Sequence, residues 1–129
     1  MTKQEIFNRI IAHLYDQGAP AVNPSGGCYY LAPDGKRCAI GALIPDGHAG
    51  LDFIGPVYGL ILNYPDLKSM IPKDDQDREE YWFLTDMQEI HDVDSYKPVA
   101  DWRFSVRAKI HEMARKYNLT YKIPDNWGE

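Results

Sequence analysis

The stretch GGCYYLAPDGKRCAIGALIPDG, Gly26 to Gly47, holds most of the chemically informative residues of this chain. It contains both cysteines, a pair of tyrosines, a tight turn and a short apolar run. Four interpretations are open for it: half of a metal site, the position of a nucleophilic thiol, an anion-binding helix start, or a well-packed hairpin. The rest of the chain must help to choose among them.

The composition limits the class of protein. A chain of 129 residues, with 44% hydrophobic and 26% charged residues, fits a single domain spanning residues 1–129. The formal net charge of −5 argues against a nucleic-acid polymer as partner, because such a partner needs a clustered excess of Lys and Arg. No run is apolar and long enough for a signal peptide or a membrane span. We therefore expect a cytoplasmic protein with reduced cysteines.

Helical periodicity accounts for most of the chain. Thr2 followed by Glu5 is typical of a capping box, and apolar residues then recur at helical spacing until Gly18. Phase, prolines and capping residues predict four further helices. They run from Arg37 or Cys38 to Pro45, from Pro56 to the residue before Pro65, from Asp74 to His91, and from about Asp101 to Tyr117.

A short β-hairpin is predicted between the first two helices. CYYLA, residues 28–32, has the composition of a strand, and Pro33-Asp34-Gly35 supplies a turn, so the hairpin would cover about 28–38. The expected fold class is mainly α (α+β), a small domain of about five helices with this one hairpin. The predicted core comprises Ile6, Ile10, Leu14, Leu43, Phe83, Met87, Ile90, Val106, Ile110 and Met113.

Three blocks of the sequence, followed by a Trp-led helix that ends in Ala-Arg-Lys-Tyr-Asn-Leu, resemble a known family over residues 3–120. They read Gly-x-Cys-x-Tyr, then Gly-x-Arg-Cys-Ala-Ile-Gly-x-Leu-Ile-Pro-Asp, then Leu-x-x-Met-Gln-x-Ile-His-Asp. The pattern is similar to that of small, largely uncharacterised proteins encoded by bacteriophages and prophages, although Leu31 stands where that pattern has a basic residue. The resemblance implies a phage protein made in the cytoplasm of a host bacterium. It also implies action against host defence, by binding a host protein or by sequestering a nucleotide signal.

Metal and cofactor sites have little support. Cys28, Cys38, His48 and His91 are potential zinc ligands, but their spacing lacks the close pairs through which one turn presents two ligands to one ion. Neither GxxxxGK[ST] nor GxGxxG is present, so a nucleotide-dependent enzyme has no local motif. We predict no metal and no cofactor.

A thiol enzyme is a stronger alternative. Cys38 would begin a helix beside Lys36 and Arg37, where the helix dipole and both cations favour the thiolate. His91 and Asp92 could then serve as base and orienting group. Close packing explains the same residues, with Cys38 as a small hydrophobe, and we prefer that interpretation to catalysis.

The last predicted helix carries a basic stripe. Arg103, Arg107, His111 and Arg115 recur every four residues along it. The stripe could be a solvated surface that pairs with acidic residues of 74–94. It could also combine with Arg37 to bind phosphates while an aromatic residue stacks on a base. The aromatic candidates for that role are Tyr29, Tyr30, Tyr81 and Trp82.

Three classes of function remain open. The first is a non-enzymatic phage counter-defence protein that sequesters a small phosphorylated immune signal, such as a cyclic nucleotide, and we prefer it. Its predicted ligand-binding residues are Tyr29, Tyr30, Arg37, Arg103, Arg107 and His111. The second is an inhibitor that binds a host defence or nuclease complex through an acidic, aromatic surface. The third is a hydrolase or transferase that depends on Cys38, His91 and Asp92. A homo-oligomer is expected, because one small chain encloses a phosphorylated ligand poorly.

Overall fold

The computed structural model describes residues 1–22, 29–75 and 81–122, and in these residues the chain is mainly helical. This confirms the predicted mainly α class, but not the hairpin that was predicted with it. Four α-helices are present in the described ranges: α1 (Lys3–Gln17), α2 (Val57–Asn63), α3 (Trp82–Asp92) and α4 (Val99–Tyr117). Three 3-10 helices accompany them at Gly41–Leu43, Ala49–Asp52 and Pro65–Met70. None of the described helices is long and apolar enough to cross a membrane.

Local capping sets the ends of α1 and the end of α4. The Thr2 hydroxyl accepts a hydrogen bond from the Glu5 N–H at 3.2 Å, and the Glu5 carboxylate accepts one from the Thr2 N–H at 3.0 Å. Gly18 ends α1 with φ of 73°, and Asn118 ends α4 with φ of 55°, both left-handed. These termini were predicted correctly, because the interactions that make them lie within one turn.

The core lies where α1, α3 and α4 meet, with α2 packed on α3. All ten predicted core residues are buried. Trp102 of α4 is fully buried, and its indole N–H donates to the His91 carbonyl at 2.8 Å. This bond satisfies the polar atom of a large core side chain and joins α4 to the end of α3.

The predicted hairpin is not present as two strands in the described residues. A single antiparallel bridge joins Leu31 to Arg37 around the turn, and Cys28, where the strand was predicted to begin, lies outside the described residues. The Arg37 backbone also pairs with a side chain of α1. Its N–H donates to Gln17 Oε1 at 2.7 Å, and its carbonyl accepts from Gln17 Nε2 at 2.8 Å. A side-chain amide therefore pairs with both polar groups of the Arg37 backbone, in addition to the bridge with Leu31.

The helix predicted from Arg37 or Cys38 to Pro45 was also wrong. Only the 3-10 helix Gly41–Leu43 forms in this segment. Gly41 packs closely on the Tyr30 backbone, since a Cβ on Gly41 would lie 2.0 Å from the Tyr30 carbonyl oxygen. Cys38 is therefore not at the N-terminus of an α-helix.

The helix predicted from Asp74 begins later, at Trp82, after Tyr81 in a left-handed conformation. Asp74 lies instead at the start of α1, where its carboxylate accepts a hydrogen bond from the Lys3 N–H at 2.8 Å. A carboxylate stabilises the N-terminus of a helix, and that helix need not be the next one along the chain. The prediction therefore assigned Asp74 to the wrong helix. Asp77, Glu79 and Glu80 lie outside the described residues.

Candidate functional site

A small pocket forms where three parts of the chain meet. It has a volume of about 260 Å³ and is lined by Tyr29, Tyr30, Gly55, Pro56, Gln88 and Asp92. Tyr30 is buried, and its hydroxyl donates to the Gly55 carbonyl at 2.7 Å. This hydrogen bond joins the tyrosine segment to the loop before α2, so two walls of the pocket are held together. We call this the tyrosine pocket.

Asp92, the last residue of α3, supplies the charge of the tyrosine pocket. Its Oδ1 accepts hydrogen bonds from Gln88 Nε2 at 2.9 Å and from His91 Nδ1 at 2.8 Å. No hydrogen bond from the described residues reaches Oδ2, and the side chain is 32% exposed. The C-terminal end of α3 adds partial negative charge. The pocket therefore presents a carboxylate of fixed orientation in a negative environment.

His91 is fully buried and uses both ring nitrogens within the fold. Its Nε2 accepts a hydrogen bond from the Ala21 N–H at 2.8 Å. Since a backbone N–H can only donate, Nε2 carries no hydrogen, and Nδ1 is the nitrogen that donates to Asp92. The ring thus links the segment after α1 to the pocket carboxylate. This geometry offers no free nitrogen to act as a base on a substrate.

Cys38 is fully buried behind the tyrosine pocket. Its Sγ accepts a hydrogen bond from the Gly41 N–H at 3.3 Å, and the neighbouring Ile40 N–H donates to Gln88 Oε1 at 3.0 Å. Burial raises the pKa of the Cys38 thiol to about 12, and the Asp92 carboxylate acts in the same direction. A thiol in this state is a poor nucleophile at neutral pH, so the geometry favours packing over catalysis.

The raised pKa of Cys38 predicts a loss of stability at alkaline pH. The pKa of the thiol is about 8.5 in the unfolded chain and about 12 in the folded one. The stability that this difference contributes is therefore present in full below a pH of about 8.5 and is lost as the pH rises above it. Between about pH 8.5 and pH 10 the expected loss is about 1.5 kcal/mol. Urea unfolding measured at several pH values in this range gives the free energy of unfolding as a function of pH. This free energy should fall less steeply with pH for Cys38→Ala than for the wild type. Equal slopes would contradict the proposed cause.

The Arg37 side chain, a predicted phosphate ligand, closes the 3-10 helix. Its NH1 donates to the Ile44 carbonyl at 3.1 Å and to the Gly41 carbonyl at 3.3 Å. Its NH2 pairs with Asp46 at 2.6 Å, and the side chain is 20% exposed. A bound phosphate would have to compete with the Asp46 carboxylate. The guanidinium therefore has a structural role that the sequence did not reveal.

Arg37→Lys should lower the free energy of unfolding by about 1–2 kcal/mol, although the charge is kept. A lysine can pair with Asp46 but cannot also reach both carbonyls in the fork geometry of a guanidinium. Lys36→Ala is the control, because it removes only the exposed pair with Asp34 and should cost less than about 0.5 kcal/mol. Thermal or urea unfolding measures both, and equal effects would refute the structural role of Arg37.

The predicted basic stripe on α4 is divided between two environments. Arg103 is partly buried, and its Nε donates to the Gly18 carbonyl at the end of α1, 2.8 Å away. Arg107, His111 and Arg115 are exposed. The described contacts therefore do not join Arg37 and the stripe into one anion-binding wall. The stacking candidates differ in the same way, since Tyr81 is buried and Trp82 is 56% exposed.

An ion pair joins this helix to the acidic segment, Lys116 with Asp86 at 2.7 Å, but Lys116 is not a member of the predicted basic stripe. Of the potential metal ligands, His48 bonds Asp66 at 2.7 Å and the Gly50 N–H at 2.8 Å. Within the described ranges, no three His, Cys, Asp or Glu residues group in a way that could hold a metal ion.

The structure brings together Tyr29, Tyr30 and Asp92, which the sequence had assigned to two different hypotheses. Gly55 and Pro56 were not among the predicted site residues. The Gly-Pro pair before a helix was a local indication of a turn, but nothing local indicated which residues it would face.

The chain matches no family model, no characterised protein and no solved structure with which it was compared. The resemblance to the phage family therefore stays a prediction.

Proposed function

We propose that this chain is a non-enzymatic binding protein that captures a protein partner by receiving one of its Lys or Arg side chains in the tyrosine pocket. The observation that carries the proposal is the Asp92 carboxylate, whose Oδ1 is held by Gln88 and His91. Its other oxygen accepts no hydrogen bond from the described part of the chain. A fixed carboxylate is a strong partner for an ammonium or guanidinium group.

The charge of the pocket favours a cation over a phosphate. Asp92 and the C-terminal end of α3 both repel an anion, and the net charge of the chain is −5. Tyr29 and Tyr30 add aromatic surface, against which the alkyl part or the charged end of a Lys or Arg side chain can pack. The volume of about 260 Å³ suits one long side chain better than a whole dinucleotide.

Exposed apolar residues beside the pocket favour a protein as the source of that cation. Ile54, next to the pocket residue Gly55, is 73% exposed. Tyr58 and Leu62 lie one turn apart on α2 and are 53% and 66% exposed. Apolar side chains around a small polar pocket are typical of an interface in which one anchor residue enters the pocket. In the setting that the family resemblance implies, the partner is a host defence or nuclease protein.

A titration followed by NMR tests the cation site without knowledge of the partner. N-acetyl-arginine methylamide should shift the amide resonances of the tyrosine pocket, and its neutral citrulline analogue should not. Asp92→Asn is the matched variant, because the Asn side-chain oxygen can still accept from Gln88 and His91 while the charge is lost. We expect Asp92→Asn to stay folded and to bind the arginine probe at least about tenfold more weakly.

Equal shifts of the amide resonances with the arginine and citrulline probes would contradict the cation site. So would an unchanged affinity of Asp92→Asn for the arginine probe. Capture of a nucleotide signal stays a prediction, and calorimetric titration with cyclic dinucleotides tests it. Heat of binding that disappears in Arg107→Lys and persists in Asp92→Asn would favour that first class over the proposal made here.

A further inference from the structure

The outward face of α4 carries a row of exposed residues. Five of them, Asp101, Phe104, Ala108, His111 and Arg115, follow alternating spacings of three and four, and Glu112 lies beside them. The row lies on the side of the helix opposite Val106, Ile110 and Met113, which are buried in the core. Its members are Asp101, Phe104, Ala108, His111, Glu112 and Arg115, and all six are exposed. We call this row the outer stripe. Such spacing is that of the contact positions of a two-helix coiled coil.

The outer stripe contains both a knob and a hole. Phe104 is 71% exposed and projects from the N-terminal half of the stripe. In the C-terminal half, a depression of about 400 Å³ is lined by Ala108, His111, Glu112, Arg115 and Lys116. The first four of these have the spacing i, i+3, i+4, i+7, which forms the hole for one side chain from a facing helix. Because the side chain of Ala108 is small, it leaves space at this position for a side chain of the facing helix.

We propose that the outer stripe is the interface of a symmetric dimer, in which α4 pairs antiparallel with α4 of a second copy. The two-fold axis passes beside Ala108, so each Phe104 enters the hole of the other copy, against the partner's His111. A hole and a knob placed on opposite sides of one small residue are self-complementary under this rotation.

Charge selects the antiparallel direction. Asp101 and Arg115 lie about two helical turns on either side of Ala108. Neither makes a hydrogen bond or ion pair within the described part of the chain, whereas Lys109 pairs with Glu112 and Lys116 pairs with Asp86. The antiparallel pairing brings Asp101 against the partner's Arg115 at both ends. A parallel pairing would place Asp101 against its own copy, which is repulsive.

The expected dimer is weak. One helix face of this length buries less surface than a standard stable interface, so we expect a Kd on the order of 10 µM. The inference does not rest on the tyrosine pocket, since Asp92 lies on α3 and is not part of the outer stripe. Asp92→Asn should therefore leave dimerisation unchanged, and failure of either proposal leaves the other standing.

Sedimentation equilibrium of the full chain, from about 1 to about 500 µM, tests the dimer directly. The wild type should convert from monomer to dimer across this range. Phe104→Glu should abolish the dimer, and Asp101→Arg should weaken it at least about tenfold. The double variant Asp101→Arg with Arg115→Asp exchanges the charges and should restore the wild-type affinity.

Leu62→Glu is the control, because it charges a similarly exposed apolar residue on α2 and should not affect the dimer. A wild type that stays monomeric at all concentrations would overturn the proposal. So would a double variant as weak as Asp101→Arg alone, or a loss of dimer in Leu62→Glu equal to that in Phe104→Glu. Circular dichroism of each variant confirms that the helices are retained.

Discussion

Gly41→Ala is expected to destabilise the fold by about 3 kcal/mol or more, or to prevent folding. An added Cβ would lie 2.0 Å from the Tyr30 carbonyl oxygen and 2.9 Å from its carbonyl carbon. Both atoms belong to the backbone, so no side-chain rotation relieves the overlap. Gly41 is also held by its own N–H, which donates to Cys38 Sγ at 3.3 Å, and by its carbonyl, which accepts from Arg37 at 3.3 Å.

The matched control is Gly47→Ala. Gly47 has a positive φ of 78°, but nothing lies within 4 Å of an added Cβ. The left-handed conformation alone should cost about 1–2 kcal/mol. Urea unfolding of both variants separates close approach from backbone conformation. Equal losses would show that the contact with Tyr30 does not constrain the fold as the distances imply.

His91→Leu should lower the free energy of unfolding by about 3 kcal/mol. Leucine is apolar and suits a buried position, so we attribute the lost stability to the hydrogen bonds that the imidazole made. The Ala21 N–H loses its acceptor, and Asp92 loses one of the two donors that hold its Oδ1. An unsatisfied buried N–H costs about 1–3 kcal/mol, and the lost bond to a carboxylate adds to this.

His91→Gln distinguishes this explanation from a simple change of shape. A glutamine oxygen can take the place of Nε2 as acceptor for Ala21, so this variant should recover part of the loss. His111→Leu, on α4, removes only an exposed contact with Tyr121 and should change stability by about 0.5 kcal/mol at monomeric concentrations. Chemical unfolding monitored by circular dichroism is the measurement. A His91→Gln variant no more stable than His91→Leu would argue against the Ala21 hydrogen bond.

Part of the candidate site could be anticipated from the sequence. Tyr29, Tyr30 and Asp92 were all singled out, the tyrosines as stacking residues and Asp92 as an orienting group in a thiol enzyme. Their chemistry was visible in their residue types, but their meeting in one pocket was not. Arg37 shows the opposite case. Its charge and its neighbours suggested an anion site, whereas the structure places it against two carbonyls and Asp46.

The sequence alone was sufficient for features that depend on neighbours within one or two turns. The capping box of α1, the left-handed ends at Gly18 and Asn118, and the apolar faces of the long helices are of this kind. Such features follow from hydrogen bonds and periodicities inside one segment. All the residues that take part therefore lie in one short stretch of the sequence.

Only the tertiary structure decided the features that depend on distant segments. Gln17 pairs with the Arg37 backbone, Asp74 accepts a hydrogen bond at the start of α1 and not of α3, and His91 links Ala21 to Asp92. In each case a polar group has a partner far along the chain. Ala21 and His91 are buried, so their polar groups must be satisfied by whatever the packing brings near, whereas the Asp74 contact is exposed. Which partner that is depends on how the helices pack, and no local pattern encodes it.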